Sequence, residues 1–312
     1  FLGISAIMGN LNYTQICLGA FFAGLAWSID FPIRRSLLSE AVKPRLYSSA
    51  IGLDMTSSNM ARIFGPIIAG IVLMKLDLFP IYFFGSLLFI CGFFVSKNLI
   101  YDFIPNNEKN TLKNSSSEFL EGIKYIFGSK ILLAVLSATI IVNALIFTYQ
   151  SQIAVIVLDN LSKGSFFIGL LAGLEGLGAT IGTLLIAYFS FSRAHMKIFF
   201  IGSFLFGISI LIFSQSSSLF LCGALMIIGG LGMSGFGTMQ SIIVISKAAQ
   251  KVRGRVLGIL AITIGTQPIG AFVLGYFSRE YGSSYAVAIS IIIAIAILLI
   301  IGAWYKLSEL SN

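Results

Sequence analysis

Nine stretches of nearly unbroken apolar residues organise this chain, at 12–31, 50–74, 78–96, 131–157, 165–189, 197–214, 219–245, 256–277 and 284–305. Each is close to the about 20 residues that an α-helix needs to cross the hydrocarbon core of a bilayer. The runs are continuous rather than alternating. They therefore predict helices, which close their own backbone hydrogen bonds in lipid, and not the strands of a barrel. The longest polar stretch carries Asn106, Asn107 and the run Ser115 to Ser117, and it divides the chain into three regions. These are a helical bundle remnant over 1–97, a linker over 98–130 and a six-helix bundle over 131–312. The linker ends in EFLEGIKYIF, which places Phe119, Leu120, Ile123, Ile126 and Phe127 on one helical face. Two readings of that face stand side by side: a helix lying on the membrane surface, or a helix packed on the second bundle.

Composition sharpens this picture. The 312 residues are 57% hydrophobic and 10% charged, with a mean hydropathy of +0.97, against about 25% charged residues in an average soluble domain. The net charge of +8 does not point to nucleic acid, because the cations sit in the breaks between spans. Arg34, Arg35, Lys43 and Arg45 fall on one side, with Lys97, Lys109, Lys113, Lys124, Lys130, Arg193, Lys197, Lys247, Lys251, Arg253, Arg255 and Lys306. Only Lys75, Lys163 and Arg279 fall on the other. That asymmetry predicts a multi-pass protein of a prokaryotic inner membrane with the basic loops and the C-terminus in the cytoplasm. Cys17, Cys91 and Cys222 are far apart inside apolar runs, without metal-ligand or redox spacing. With a single histidine, His195, and no HExxH or GxxxxGK[ST] run, the chain lacks the constellations of soluble enzymes. Neither an enzyme nor a bound metal or cofactor is expected from these residues.

The spacing also repeats. Spans starting at 12, 50 and 78 recur at 219, 256 and 284, and a shift of 205 brings Gly24 onto Gly229, Ser36 onto Ser241, Gly65 onto Gly270 and Gly70 onto Gly275. Weak internal symmetry of this kind marks transporters built from two related halves. The spans starting at 131, 165 and 197 have partners that would begin before residue 1, and FLGISAIM reads as the tail of one of them. The expectation is an intact protein of six plus six helices, here lacking the first two helices and most of the third.

Over residues 31 to 74 the segment FPIRRSLLSEAVKPRLYSSAIGLDMTSSNMARIFGPIIAGIVLM resembles the cytoplasmic loop and fifth helix of major facilitator transporters, closest to the branch of enterobactin and macrolide exporters. RGRVLGI at 253–259 is similar to the corresponding loop of the second half. The resemblance implies an all-α membrane protein with the major facilitator fold. Gly65, Pro66 and Gly70 match part of that family's antiporter motif, with Ala61 and Ala69 where the fuller motif has glycines. It also implies that Arg34 and Arg35 form a cytoplasmic gate loop, beyond their plain role in setting topology.

Ionisable groups at mid-membrane depth are costly and mark function by default. Arg62 lies at the midpoint of the 50–74 span and Glu175 within two residues of the midpoint of the 165–189 span. In the resembled family these two spans meet across the interface between halves, so a charge pair between Arg62 and Glu175 is one expectation. Arg62 satisfied by Asn59 or Asp54 within its own bundle is the alternative. Glu175 as a proton-carrying carboxylate is a third reading. Asn143, Gln150 and Gln267, with Gln152, are candidates for lining a substrate cavity or for interhelical hydrogen bonds. Pro66 and Pro268 are expected to kink their helices, and the glycines from Gly229 to Gly237 to allow close packing or bending. Together these readings predict a monomeric secondary transporter that uses a proton gradient, with no bound cofactor, to export a small amphipathic molecule across the bilayer by alternating access. Uptake by a symporter of the same fold and a non-transporting membrane protein are the rivals.

Overall fold

The computed structural model describes residues 1–41, 47–76, 79–97, 112–189, 195–249 and 252–310, and all regular structure among them is helical. The helices are α1 (Leu2–Ile7), α2 (Tyr13–Ala41), α3 (Tyr47–Lys75), α4 (Phe79–Lys97), α5 (Leu112–Phe127), α6 (Lys130–Ile141), α7 (Ile153–Leu161), α8 (Ser165–Phe189), α9 (His195–Gln215), α10 (Leu219–Lys247), α11 (Arg253–Ile264), α12 (Gln267–Tyr281) and α13 (Ser283–Leu310). Eight stretches of the described residues are long and apolar enough to cross a membrane, and Tyr13–Ala26 is a shorter apolar one. Helices start at 13, 47 and 79 and again at 219, 253 and 283, so the interval found in the sequence is an interval between helices. The chain divides into two compact units, Phe1–Asn107 and Glu108–Asn312.

In the second unit α10 packs against both α8 and α9, and glycine makes the contact possible. A Cβ on Gly230 would stand 2.1 Å from the Glu175 carbonyl oxygen, and one on Gly178 would stand 2.0 Å from that of Ile227. On the other side a Cβ on Gly232 would come 2.5 Å from the Phe206 nitrogen, and one on Gly202 2.7 Å from the Gly232 oxygen. Helices in lipid gain nothing from hiding apolar surface from lipid tails, so they associate through this kind of backbone-to-backbone approach. Gly230, Gly232 and Gly235 of the 219–245 span thus serve packing, and α10 runs unbroken through them. Around it Phe199, Phe206, Phe213, Phe236 and Tyr149 are fully buried. The opposite faces carry exposed Ile201, Ile208, Ile212, Phe272, Ile292 and Leu299, the inverse of a water-soluble surface and the pattern of a lipid-facing one.

In the first unit α1 lies against α4, where Gly3 leaves only 3.0 Å between a would-be Cβ and the Phe83 ring. No side chain of α4 is buried. A cavity of about 380 Å³ opens between Phe1, Leu2, Gly19, Phe22, Tyr82 and Ser86.

Several expectations change on contact with the structure. Arg34 and Arg35 belong to α2 and not to a loop, because α2 continues to Ala41. A helix has no reason to stop where the membrane does, and SLLSEA is composed largely of good helix formers. The 131–157 span is four segments: α6, a π turn over Val142–Ile146, a 3-10 turn over Phe147–Ser151, and α7. The 256–277 span is likewise broken, between α11 and α12. Pro66, by contrast, lies inside an uninterrupted α3.

Candidate functional site

The two broken spans of the second unit break against each other. In the first, the residues VNALIFTYQS loosen the helix by local chemistry. The Asn143 amide donates to the Thr139 carbonyl at 2.9 Å, Thr148 Oγ1 to the Leu145 carbonyl at 3.1 Å and Ser151 Oγ to the Thr148 carbonyl at 2.8 Å. Side chains that bond their own backbone compete with the regular ladder, and π and 3-10 turns inside a helix mark hinges. In the second span Pro268 supplies no N–H and its ring excludes the carbonyl four residues earlier, so the helix restarts with Gln267 and Pro268 in its first turn. The hydroxyls of Thr263 and Thr266 donate to the carbonyls of Leu260 and Thr263, at 2.7 and 2.8 Å.

Gly270 joins the two. A Cβ there would lie 1.8 Å from the Ala144 carbonyl oxygen and 2.8 Å from Thr148 Cγ2. The first turn of α12 therefore rests directly on the backbone of the π turn. One turn away the Gln267 amide donates to the Phe147 carbonyl and to Gln150 Oε1, both at 3.4 Å. Gln150 is exposed and Gln267 half-buried. These are long bonds for an amide, weak enough to exchange for another polar partner. The hinge is held on its other side by aromatic packing, with ring centroids of Phe147 and Phe206 4.8 Å apart and of Tyr149 and Phe206 6.1 Å apart.

Of the three cavity candidates, then, Gln150 and Gln267 come together at an open position, while Asn143 is 4% exposed and shapes the π turn beneath them. Gln152 is also buried and takes hydrogen bonds from Ser278 Oγ at 2.8 Å and Ser283 Oγ at 3.0 Å. With Asn160, which donates to the Ser214 carbonyl and to Ser284 Oγ at 3.0 Å each, it fastens one end of the bundle. Sequence reasoning passed over Thr139 and Gln240, whose side chains meet at 3.1 Å between α6 and α10 in full burial. The signal was a polar side chain on each of two apolar spans, but Gln240 lies too near its span's end to attract notice.

Glu175 is 5% exposed, and its helix presents Gly178, Gly182 and the Glu175 carbonyl to α10 of the same unit. Arg62 is exposed on α3, with Asn59 half-buried one turn before it. Gly70 is buried, whereas a Cβ on Gly65 would touch nothing within 4 Å. Arg62 and Glu175 belong to different units, and each is described within its own. The side chains of Asp54, Arg34 and Arg35 lie outside the described residues.

An all-helical, multi-pass chain with interrupted helices meeting at a polar pair has the build of a membrane transporter. The family model of the Major Facilitator Superfamily matches residues 1–266, and the chain belongs to that family. Among solved structures it is similar to a bacterial homologue of the human lysosomal transporter Spinster, in an inward-facing and unoccupied conformation. The TM-score is 0.57 at 13% identity, over 88% of this chain and 73% of that one. This likeness concerns the fold. No curated protein matches the chain.

Proposed function

We propose that the protein is a proton-coupled exporter of a small amphipathic molecule, of the branch that includes enterobactin and macrolide exporters, working by alternating access. The observation that carries this reading is the meeting of two interrupted helices at Gly270 and Ala144 beside the Gln150 and Gln267 amides. Interrupted helices in transporters place substrate groups against freed backbone and polar side chains near the middle of the membrane, and they allow one part of a bundle to move. The amides provide neutral donors and acceptors for the polar end of the substrate, and the buried aromatic cluster about Phe147 supports the joint from its other side. Glu175 is the coupling group in this scheme: a carboxyl buried in the apolar middle of a membrane helix is a functional group by default, and here it takes up and releases the coupling proton within the cycle. That role needs no contact with Arg62. The protein acts as a monomer in a prokaryotic inner membrane, with its basic loops and C-terminus in the cytoplasm.

Cells expressing the protein and loaded with a fluorescent amphipathic cation test the direction. Energising them should deplete the dye relative to cells without the protein, and a protonophore should abolish the difference. Accumulation of the dye would instead favour an uptake symporter, and the absence of any difference a protein that does not transport such molecules.

A further inference from the structure

Helix α5 is fixed to the second unit but leaves part of its apolar surface bare. Tyr125 accepts a hydrogen bond from the Ala249 N–H at 3.0 Å and donates to the Lys247 carbonyl at 3.4 Å. Glu121 forms an ion pair with Arg255. Gly122 lets the helix approach α11 so closely that a Cβ would stand 3.0 Å from Ile259 Cδ1, and Ile126 is 5% exposed in the core. These contacts fix the rotation of α5 about its axis. Phe119, Leu120 and Phe127 then remain 43%, 57% and 70% exposed. They form one flank, since residues seven apart share a face and Phe119 lies on the adjoining edge.

The position of that flank identifies what covers it. Only Gly128 and Ser129 separate α5 from α6, whose first residue, Lys130, opens a membrane span. A two-residue turn holds the end of α5 at the membrane boundary, and the approach of Gly122 to Arg255 and Ile259, in the first turns of the span that Arg253 opens, holds its middle there. Exposed Lys124 borders the flank on α5, exposed Lys247 closes α10 where its carbonyl accepts from Tyr125, and half-buried Arg253 opens α11 two residues before Arg255, the partner of Glu121. Arg253 has no ion pair among the described residues, and Glu121, the acid on this face, is engaged by Arg255. A helix at this depth with an aromatic flank bordered by cations is complementary to the headgroup layer of anionic phospholipid.

We propose that α5 is a membrane-binding interfacial helix, in which Phe119, Leu120 and Phe127 enter the boundary between headgroups and acyl chains, and Lys124, Lys247 and Arg253 hold anionic headgroups. The proposal goes beyond the transport reading and does not depend on its direction. The test uses the full chain with Cys17, Cys91 and Cys222 replaced, carrying an environment-sensitive fluorophore on Leu120→Cys. It is reconstituted into vesicles of phosphatidylcholine, with and without phosphatidylglycerol, of the same composition in both leaflets. The expected result is quenching by lipids spin-labelled near the headgroup, loss of quenching by aqueous iodide, and a stronger effect of both when phosphatidylglycerol is present. In a Lys124→Gln, Lys247→Gln, Arg253→Gln variant the dependence on phosphatidylglycerol should disappear while the quenching in phosphatidylcholine persists. Full quenching by iodide would overturn the proposal, and so would shielding from both quenchers, which would mean that protein covers the flank. Should the triple variant fail to fold, native mass spectrometry of the unmodified chain decides: preferential retention of phosphatidylglycerol over phosphatidylcholine is expected, and equal retention contradicts it.

Discussion

Gly270 and Gly237 are both glycines in apolar helices, yet the space around them differs completely. A side chain on Gly270 would collide with the Ala144 carbonyl, whereas a Cβ on Gly237 would meet nothing within 4 Å. Gly270→Val should therefore lower the thermal unfolding midpoint in detergent by roughly 2–5 °C, through overpacking worth about 1–3 kcal/mol. Gly237→Ala should leave it unchanged or raise it slightly, because alanine restricts the unfolded chain and favours the helix by about 0.5–1 kcal/mol. An equal response of the two variants would contradict the close approach of α12 to the π turn. The sequence could not separate these glycines, since the atoms that crowd Gly270 come from residues 126 and 122 positions earlier. Glu175 was legible from sequence alone, because a lone carboxyl in the middle of an apolar run has few explanations. That the backbone of this part of α8 packs on α10 was not, because both flanks of that helix are small.

At the level of elements, hydropathy located most spans to within a few residues where the helix is regular: 165–189 coincides with α8, and 219–245 differs from α10 only at its end, while 12–31 stops short of α2, which runs on to Ala41. It failed where a helix is interrupted, because an average over a window does not register how the backbone is bonded. Pro66 and Pro268 show why composition does not settle the matter. Each removes one hydrogen bond, but α3 passes through Pro66, while the helix at Pro268 restarts. There the Thr263 and Thr266 hydroxyls bond their own backbone at the carbonyls of Leu260 and Thr263, and Gly270 accepts a neighbour's backbone in contact. If this interruption serves motion, Pro268→Ala should keep or raise the unfolding temperature while slowing dye transport several-fold, because α11 and α12 can then join. Transport at the original rate would show the break to be purely structural. The amphipathic face of α5 was visible in sequence as well, but which part of it meets protein follows only from the placement of Tyr125, Gly122 and Ile126.

For the whole molecule, the repeat of helix starts and the membership of the Major Facilitator Superfamily agree on a transporter architecture. Its second unit combines a rigid centre, with α8, α9 and α10 in backbone contact, and a jointed side formed by the segments from α6 to α7 and from α11 to α12. In the proposed cycle the joint handles substrate and Glu175 carries the proton. Paired recordings of dye movement and internal pH, in proteoliposomes of the unmodified protein and of Glu175→Gln, test this most directly. For the unmodified protein, an imposed dye gradient should drive a pH change of the opposite sense. The variant, fixed in a form resembling the protonated carboxyl, should still exchange dye across the membrane but produce no pH change. Proton movement in the variant equal to that of the unmodified protein, or dye movement in the unmodified protein with no pH change, would contradict the assignment.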